Sequence, residues 1–320
     1  MDKKRVLITG ITGFAGSHLA ELLVSKNEFV IFGTHVSDHH IENLANIREL
    51  VNLYKINLLD SEEISRIVAE VQPDVVYHLA ASTSVSDSFK NPAEVLTNNI
   101  TSEVNLLEGI KKNKLFHTRI LVISSSHVYG DVSLKDQPID ENVEFKPDNP
   151  YAVSKIAQDY LGLSYFLAYK MPIVRLRPFN HIGPRLSPQI SISRFAKKIV
   201  EIEKGESDPI MKVGNLDSKR DFTDVRDMVK AYFLAAIHGN PGEPYNLGTG
   251  KVYSIKDMLD KLLGLTSATI SIEIDKELFR PSDIMELRCN PDKFKKLTGW
   301  NPEIEITQTL QEMLDYWRKV

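Results

Sequence analysis

Residues 5–16 constrain this chain more than any other stretch. An apolar run, Arg5–Thr9, passes directly into Gly10-Ile11-Thr12-Gly13-Phe14-Ala15-Gly16, where an apolar helical pattern begins. Glycines at this spacing permit a tight turn and a close backbone approach. The helix that starts there turns its unpaired amide N–H groups toward any anion in the turn. A strand, a glycine turn and a helix in this order predict a dinucleotide site, with the pyrophosphate on the helix N-terminus.

The first half of the chain continues the same rhythm. Runs at Phe29–Thr34, Leu53–Asn57, Val75–Leu79, Ile120–Ser124 and Ile173–Arg177 read as strands. They alternate with stretches at Phe14–Ser25, Ser61–Glu70, Pro92–Lys112 and Tyr151–Tyr169, where apolar residues recur every three or four positions. Several strands are apolar nearly throughout, as expected when helices cover both faces. The predicted fold class is α/β, a doubly wound parallel (Rossmann) sheet with a smaller mixed α/β substrate lobe. Beyond about Arg175 the alternation loosens, with turn clusters at Gly183-Pro184, Gly239-Asn240-Pro241-Gly242 and Asn301-Pro302. Residues 1–175 and about 221–250 are expected to form the dinucleotide-binding domain, with a helix near Val225–Ile237 returning to it. Residues about 176–220 and 251–320 are expected to form the second domain.

Charge and cysteine content narrow the function. Across 320 residues, 39 Lys and Arg against 43 Asp and Glu give a net charge of -4, the wrong balance for a nucleic-acid binder. The single cysteine, Cys289, excludes an internal disulfide and any multi-cysteine metal site. With no leader-like segment apparent, it points to a reducing compartment, the cytoplasm. No apolar run approaches the ~18 residues of a membrane span, so no membrane partner is expected. The scattered histidines, His39-His40 included, lack ligand spacing, and no metal is expected.

The second strand ends Ile31-Phe32-Gly33-Thr34-His35, without the carboxylate that usually holds an NAD ribose. Gly33 leaves room for a 2′-phosphate, although no arginine follows at once and His35 is a weak substitute. NADP(H) is favoured and NAD(H) possible. Tyr151 and Lys155, four apart, project from one face of a helix. A nearby ammonium lowers a phenol's pKa from ~10 and makes it a usable acid/base. Alone such a pair is common on solvated helix faces, but Ser124-Ser125-Ser126 ends the fifth strand, where ligands of such sheets bind.

These motifs occur in a fixed order: the Gly10/Gly13/Gly16 turn, Asn57-Leu58, His78-Leu79-Ala80-Ala81, Asn98, Ser124 through Gly130, and Tyr151-x-x-x-Lys155. In that order they resemble the extended short-chain dehydrogenase/reductases, NAD(P)-dependent enzymes of sugar nucleotides, over nearly the whole chain. The resemblance implies that Ser125 holds the substrate carbonyl or hydroxyl, that Tyr151 exchanges its proton, and that Lys155 binds the nicotinamide ribose. It places Gly10, Thr12, Gly13, Phe14, Ala15, Gly16 and His35 at the dinucleotide. Asn57 and Leu58 would flank the adenine, and Leu79, Ala80, Ala81, Asn98 and His181 would line the cofactor. Where Asn57 stands the family usually has aspartate.

The same resemblance assigns Ser84, Ser126, His127, Asn180, Arg220 and Arg280, Pro281, Ser282 and Asp283 to a sugar-nucleotide substrate in the second domain. Arg220 has a competing reading as an ion pair with Asp221 or Asp224. Relatives that dehydrate at C4–C6 typically carry a glutamate after the catalytic hydroxyl, often preceded by aspartate, where this chain has Ser126 and His127. The segments from Arg177 to Pro184 and from Arg220 to Asp227 look most like the group that reduces the C4 ketone of GDP-4-keto-6-deoxy-D-mannose to GDP-D-rhamnose. Alternatives are a GDP-mannose 4,6-dehydratase, which Arg185 after the proline favours, and another sugar-nucleotide 4-epimerase or 4-ketoreductase. The implied partners are a GDP-linked deoxyhexose and a second copy, a homodimer through a four-helix interface of Pro92–Lys112 and Tyr151–Tyr169.

Overall fold

A computed structural model describes residues 3–279 and 284–320. The strands run in chain order β1 (Lys4–Thr9), β2 (Phe29–His35), β3 (Val51–Lys55), β4 (Val75–His78), β5 (Arg119–Ile123) and β6 (Ile173–Pro178). They continue as β7 (Asn180–Ile182), β8 (Ile210–Val213), β9 (Lys219–Asp224), β10 (Pro244–Leu247), β11 (Val252–Ser254), β12 (Ser271–Ile274) and β13 (Glu286–Leu287). The helices are α1 (Phe14–Lys26), α2 (Ser61–Val71), α3 (Val85–Lys90), α4 (Pro92–Lys112), α5 (Pro150–Tyr169), α6 (Ser191–Glu203), α7 (Val225–His238), α8 (Ile255–Leu263), α9 (Asp292–Thr298) and α10 (Ile306–Lys319). None of them among the described residues is long and apolar enough to cross a membrane.

Seven parallel strands form one sheet in the order β10-β6-β5-β4-β1-β2-β3. Side chains alternate along β1, so Val6 and Ile8 join the core under α1 and α7, and Leu7 joins the core under α2 and α4. Both faces are dry, which is why the strand reads as a continuous apolar run. After β1 the chain builds outward through β2 and β3, then returns to place β4 on the other side of β1. Strand order reverses there, and the carboxyl ends of β1 and β4 frame the crevice where such sheets bind ligands.

A third core lies outside the sheet. Ile192, Phe195, Ala196, Ile199 and Val200 recur at helical spacing on α6 and pack with Met258 and Leu262 of α8 and Leu310 and Met313 of α10. A capping box between Ser254 and Asp257 starts α8. β9 lies between β11 and β13 and also pairs with β7.

Two expectations move. β3 begins and ends two residues before the run expected at Leu53–Asn57, because Asn57 folds its side-chain oxygen onto the Leu59 amide at 3.0 Å and Asp60 caps α2. β10 was not foreseen, its four residues lying between Gly242 and Gly248.

Gly33 also plays a different part from the one expected. A Cβ there would sit 2.5 Å from the Ile11 side chain, so the space is filled by packing and is not left open for a phosphate. Gly33→Ala is expected to lower stability by about 1–3 kcal/mol through overpacking against this β-branched neighbour. A lower midpoint in urea unfolding, at unchanged slope, checks it.

Candidate active site

The glycine turn closes on backbone. Gly10 has φ +70°, and a Cβ on it would meet the Ala80 backbone at 3.0 Å. A Cβ on Gly16 would lie 2.3 Å from the Gly10 carbonyl, so a side chain there cannot fit without opening the turn. Gly10 N donates to Thr34 O at 2.9 Å and Gly13 N to Gly10 O at 3.1 Å. The N-cap of α1, Gly13, offers no side chain to the first amides, and the first turn carries no acidic residue. Gly13, Phe14 and Ala15 are half-buried, while Thr12 is buried. An uncapped helix N-terminus free of carboxylates is suited to a pyrophosphate.

Across the crevice, Leu79, Ala80 and Ala81 are half-buried at the end of β4. His181, from β7, stacks on Phe14 at 5.7 Å between centroids and 5° between planes, so the second region reaches the cradle at that point. His35 is buried at the end of β2, its Nδ1 2.9 Å from Ser37 O. Asn57 is exposed and occupied in its turn, while Leu58 is buried in the core.

Ser125 comes together with Tyr151 and Lys155 although they lie 26 and 30 residues further along the chain. Ser125 precedes a 3-10 turn, Ser126–Tyr129, and its Oγ accepts from His127 N at 3.2 Å. Asn149 caps α5 by accepting from Ala152 N, which fixes where Tyr151 leaves the helix. Ser124 Oγ donates to Lys155 O at 3.1 Å and ties α5 to the end of β5. Tyr151 and Ser125 are each 7% exposed, and Ser125 works against the rise that burial causes in the Tyr151 phenol. Ser126 is buried, and the His127 ring meets Tyr151 edge-on at 5.9 Å.

The electrostatics differ from the sequence expectation. Burial raises the Tyr151 phenol above its ordinary value, with only the Ser125 hydrogen bond working against it. Lys155 does not lower it. Its ammonium lies 5.9 Å from the ring centroid and donates instead to Ile123 O at 3.0 Å and Gln158 Oε1 at 2.7 Å. Burial in turn brings Lys155 down to about 8.

The substrate-side residues are spread more widely. Ser84 Oγ caps α3 by accepting from Asp87 N at 3.1 Å. Asn180 is half-buried, with its Oδ1 lacking a hydrogen-bond partner. Arg220 is buried, and the carboxylates expected to compete for it are committed elsewhere. Asp221 accepts from Thr249 N, Gly250 N and Cys289 N, and Asp224 pairs with Arg226 and Thr309. Arg280, Pro281, Ser282 and Asp283 lie outside the described residues. Arg185, at φ +75°, bonds to Glu21, Asn43 O and His18 Nδ1, tying this loop to α1.

Asn99 escaped the sequence reading. Asn98 is half-buried and donates to Ser82 Oγ at 3.2 Å, but Asn99 is wholly buried. It accepts from Ser82 N at 2.7 Å and donates to Ser82 O at 3.0 Å and Ser154 Oγ at 2.9 Å, while Ser154 Oγ donates to Tyr151 O. The available signal was spacing: Val95, Asn99, Ser102 and Leu106 form the inward stripe of α4.

A family model described as GDP-mannose 4,6 dehydratase matches residues 7–313. The GDP-6-deoxy-D-mannose reductase of Pseudomonas aeruginosa is 32% identical, over 98% of this chain and 97% of its own. The GDP-mannose 4,6-dehydratase of Yersinia enterocolitica is 29% identical, over 97% and 93%. Among solved structures, Pseudomonas aeruginosa RMD complexed with NADPH superposes with a TM-score of 0.87 at 31% identity, covering 99% of both chains. The UDP-glucose 4-epimerase of Thermotoga maritima with UDP-glucose gives 0.88 at 26% identity, covering 98% of this chain and 99% of its own.

Asn99→Leu is expected to strand the Ser82 amide and carbonyl and to lower stability by at least about 1–3 kcal/mol. Asn98→Ala should cost less. Paired urea unfolding curves of the two variants check the order.

Proposed function

Because the chain belongs to the GDP-mannose 4,6-dehydratase family, we propose that it reduces the C4 ketone of GDP-4-keto-6-deoxy-D-mannose to GDP-D-rhamnose. It would act as an NAD(P)H-dependent oxidoreductase, with NADPH favoured and NADH possible. The reductase named among its relatives and the NADPH bound to RMD support this reading. One observation carries the choice of reaction. Ser125 is followed by Ser126 and His127, the latter edge-on to Tyr151, so neither position supplies the carboxylate that removal of the C5 proton asks for. Dehydration remains the second reading, drawn from the family model and the relatives at 29% identity.

When bound, the reduced nicotinamide supplies the hydride. Everything else falls to the chain. Burial keeps the Tyr151 phenol protonated through the neutral range, which is the form a reduction must start from. Tyr151 gives that proton to the C4 oxygen while Ser125 donates a hydrogen bond to the same oxygen as its charge grows. Lys155, charged below about 8, would bind the nicotinamide ribose. In this proposal Arg220 and Asn180 hold the diphosphate, and Ser84, Ser126 and His127 line the sugar. Residues 1–175 and about 221–250 carry the cofactor, and residues about 176–220 and 251–320 carry the sugar nucleotide. The cytoplasm is the proposed compartment.

Two copies would pair through α4 and α5. Val153, Tyr160 and Leu167, seven apart on α5, form an exposed apolar stripe with Tyr169 at its end.

Incubation with GDP-4-keto-6-deoxy-D-mannose and NADPH is expected to consume one reduced cofactor per sugar and to give GDP-D-rhamnose. Turnover of GDP-mannose without net cofactor loss would instead identify a dehydratase. Tyr151→Phe should lower kcat by about 10²–10⁴-fold with binding largely kept. Sedimentation should show a dimer that Leu167→Glu dissociates.

A further inference from the structure

Arg185, which the proposed reaction leaves unused, belongs to a small joint between two cores. Phe14, the first residue of α1, packs against both the core beneath α1 and α7 and the core of α6, α8 and α10. Its ring is held on two sides. His181 of β7 lies parallel to it, and His18, about one turn further along α1, meets it edge-on at 5.6 Å between centroids and 88° between planes.

His18 is 6% exposed, and both of its ring nitrogens are committed to the loop that follows β7. Nε2 lies 3.0 Å from Pro184 O, which can only accept, so Nε2 carries the proton. Nδ1 lies 3.0 Å from a guanidinium nitrogen of Arg185, which can only donate, so Nδ1 is bare. One neutral tautomer alone satisfies both. Arg185 is fixed in turn by two bonds to Glu21, at 2.6 and 3.1 Å, and by one to Asn43 O at 2.8 Å, which together hold a non-glycine residue at φ +75°. Gly183 completes the fit, since a Cβ there would come within 2.7 Å of Val225 and 3.8 Å of the Phe14 ring.

We propose that His18 is a positioning residue for the dinucleotide: its single neutral tautomer latches Pro184 and Arg185 onto α1 and so sets the Phe14–His181 stack beside the pyrophosphate cradle. This rests on the reading of the glycine turn as the cofactor's seat, and not on the choice of sugar. The amides that open α1 begin at Phe14, so a ring free to turn loosens the backbone that the pyrophosphate would meet. The charges around His18 are accounted for. Burial first and Arg185 next lower it to about 4, against Glu21 and Asp224, which raise it. Arg226 and Lys230 line the same cavity and are paired with Asp224 and Asp227.

Nitrogen NMR of histidine-labelled protein is expected to show His18 as the Nε2–H tautomer at neutral pH, gaining a second proton only near about 4. An Nδ1–H tautomer, or an imidazolium at neutral pH, overturns the proposal. The functional probe is whichever reduced cofactor binds the wild type, NADPH or NADH, titrated by fluorescence. His18→Leu and Arg185→Met should each weaken it by about tenfold, and the double variant by no more than either, because both open one latch. His18→Asn, whose side-chain oxygen can replace Nδ1 as the acceptor for Arg185, should recover most of the loss, which a general loosening of the fold would not allow. Lys230→Met, on the wall of the same cavity, should bind as the wild type does. Wild-type affinity in both single variants, additive losses, or no recovery in His18→Asn overturns the proposal. If His18→Leu does not fold, Arg185→Met and the wild-type NMR decide it. No sugar is present in either measurement. A wild type that binds cofactor but ignores the 4-keto sugar would overturn the proposed substrate and leave this inference to its own result.

Discussion

Asn99 pins α4 to α5, and the placement of the reacting groups depends on that contact. Ser154, which it holds, lies beside Lys155 and bonds to the carbonyl of Tyr151. The same amide grips both backbone groups of Ser82 in the loop leaving β4. One buried side chain therefore sets the distance between the cofactor crevice and the helix that carries the acid/base pair. Hydrogen bonds in a dry interior are stiff and costly to break, and this one has no solvent to replace it. The tie between Ser124 and Lys155 adds a second anchor, from the strand side.

Burial dominates the electrostatics around the reacting groups. It pushes the phenol of Tyr151 up, the amine of Lys155 down and the carboxyl of Glu103 up. Each of these changes favours the neutral form, so the charged states needed during the reaction depend on a few specific contacts. Ser125 acts on the phenol and Gln158 receives the ammonium.

Much of this was legible in the sequence, because periodicity and glycine spacing report local constraints. The β1 turn, the α/β order and α4 at Pro92–Lys112 follow from such signals, and the turn places Gly10 against Ala80 as the crevice requires. What the sequence concealed depends on long-range packing. Gly33 looked like space for a ligand, but Ile11, more than twenty residues earlier, fills it. Tyr151 and Lys155 looked like a phenol tuned by its neighbour, but the lysine's donors go to Ile123 and Gln158. Asp221 and Asp224 looked like partners for Arg220, but loops 249–250 and 289 and residues Arg226 and Thr309 claim them.

The position of β10 carries a consequence for how the protein is made. It closes the sheet beside β6, yet it is drawn from residues 244–247, some seventy positions further along the chain. While the ribosome is still extending the chain toward Pro244, β6 is an uncovered apolar edge able to pair with another nascent chain. Arg175 forms part of the seal, since its guanidinium donates to Gly242 O just before β10 begins. Until that segment emerges, the backbone groups of β6 that β10 will bond have no partner on that side of the sheet.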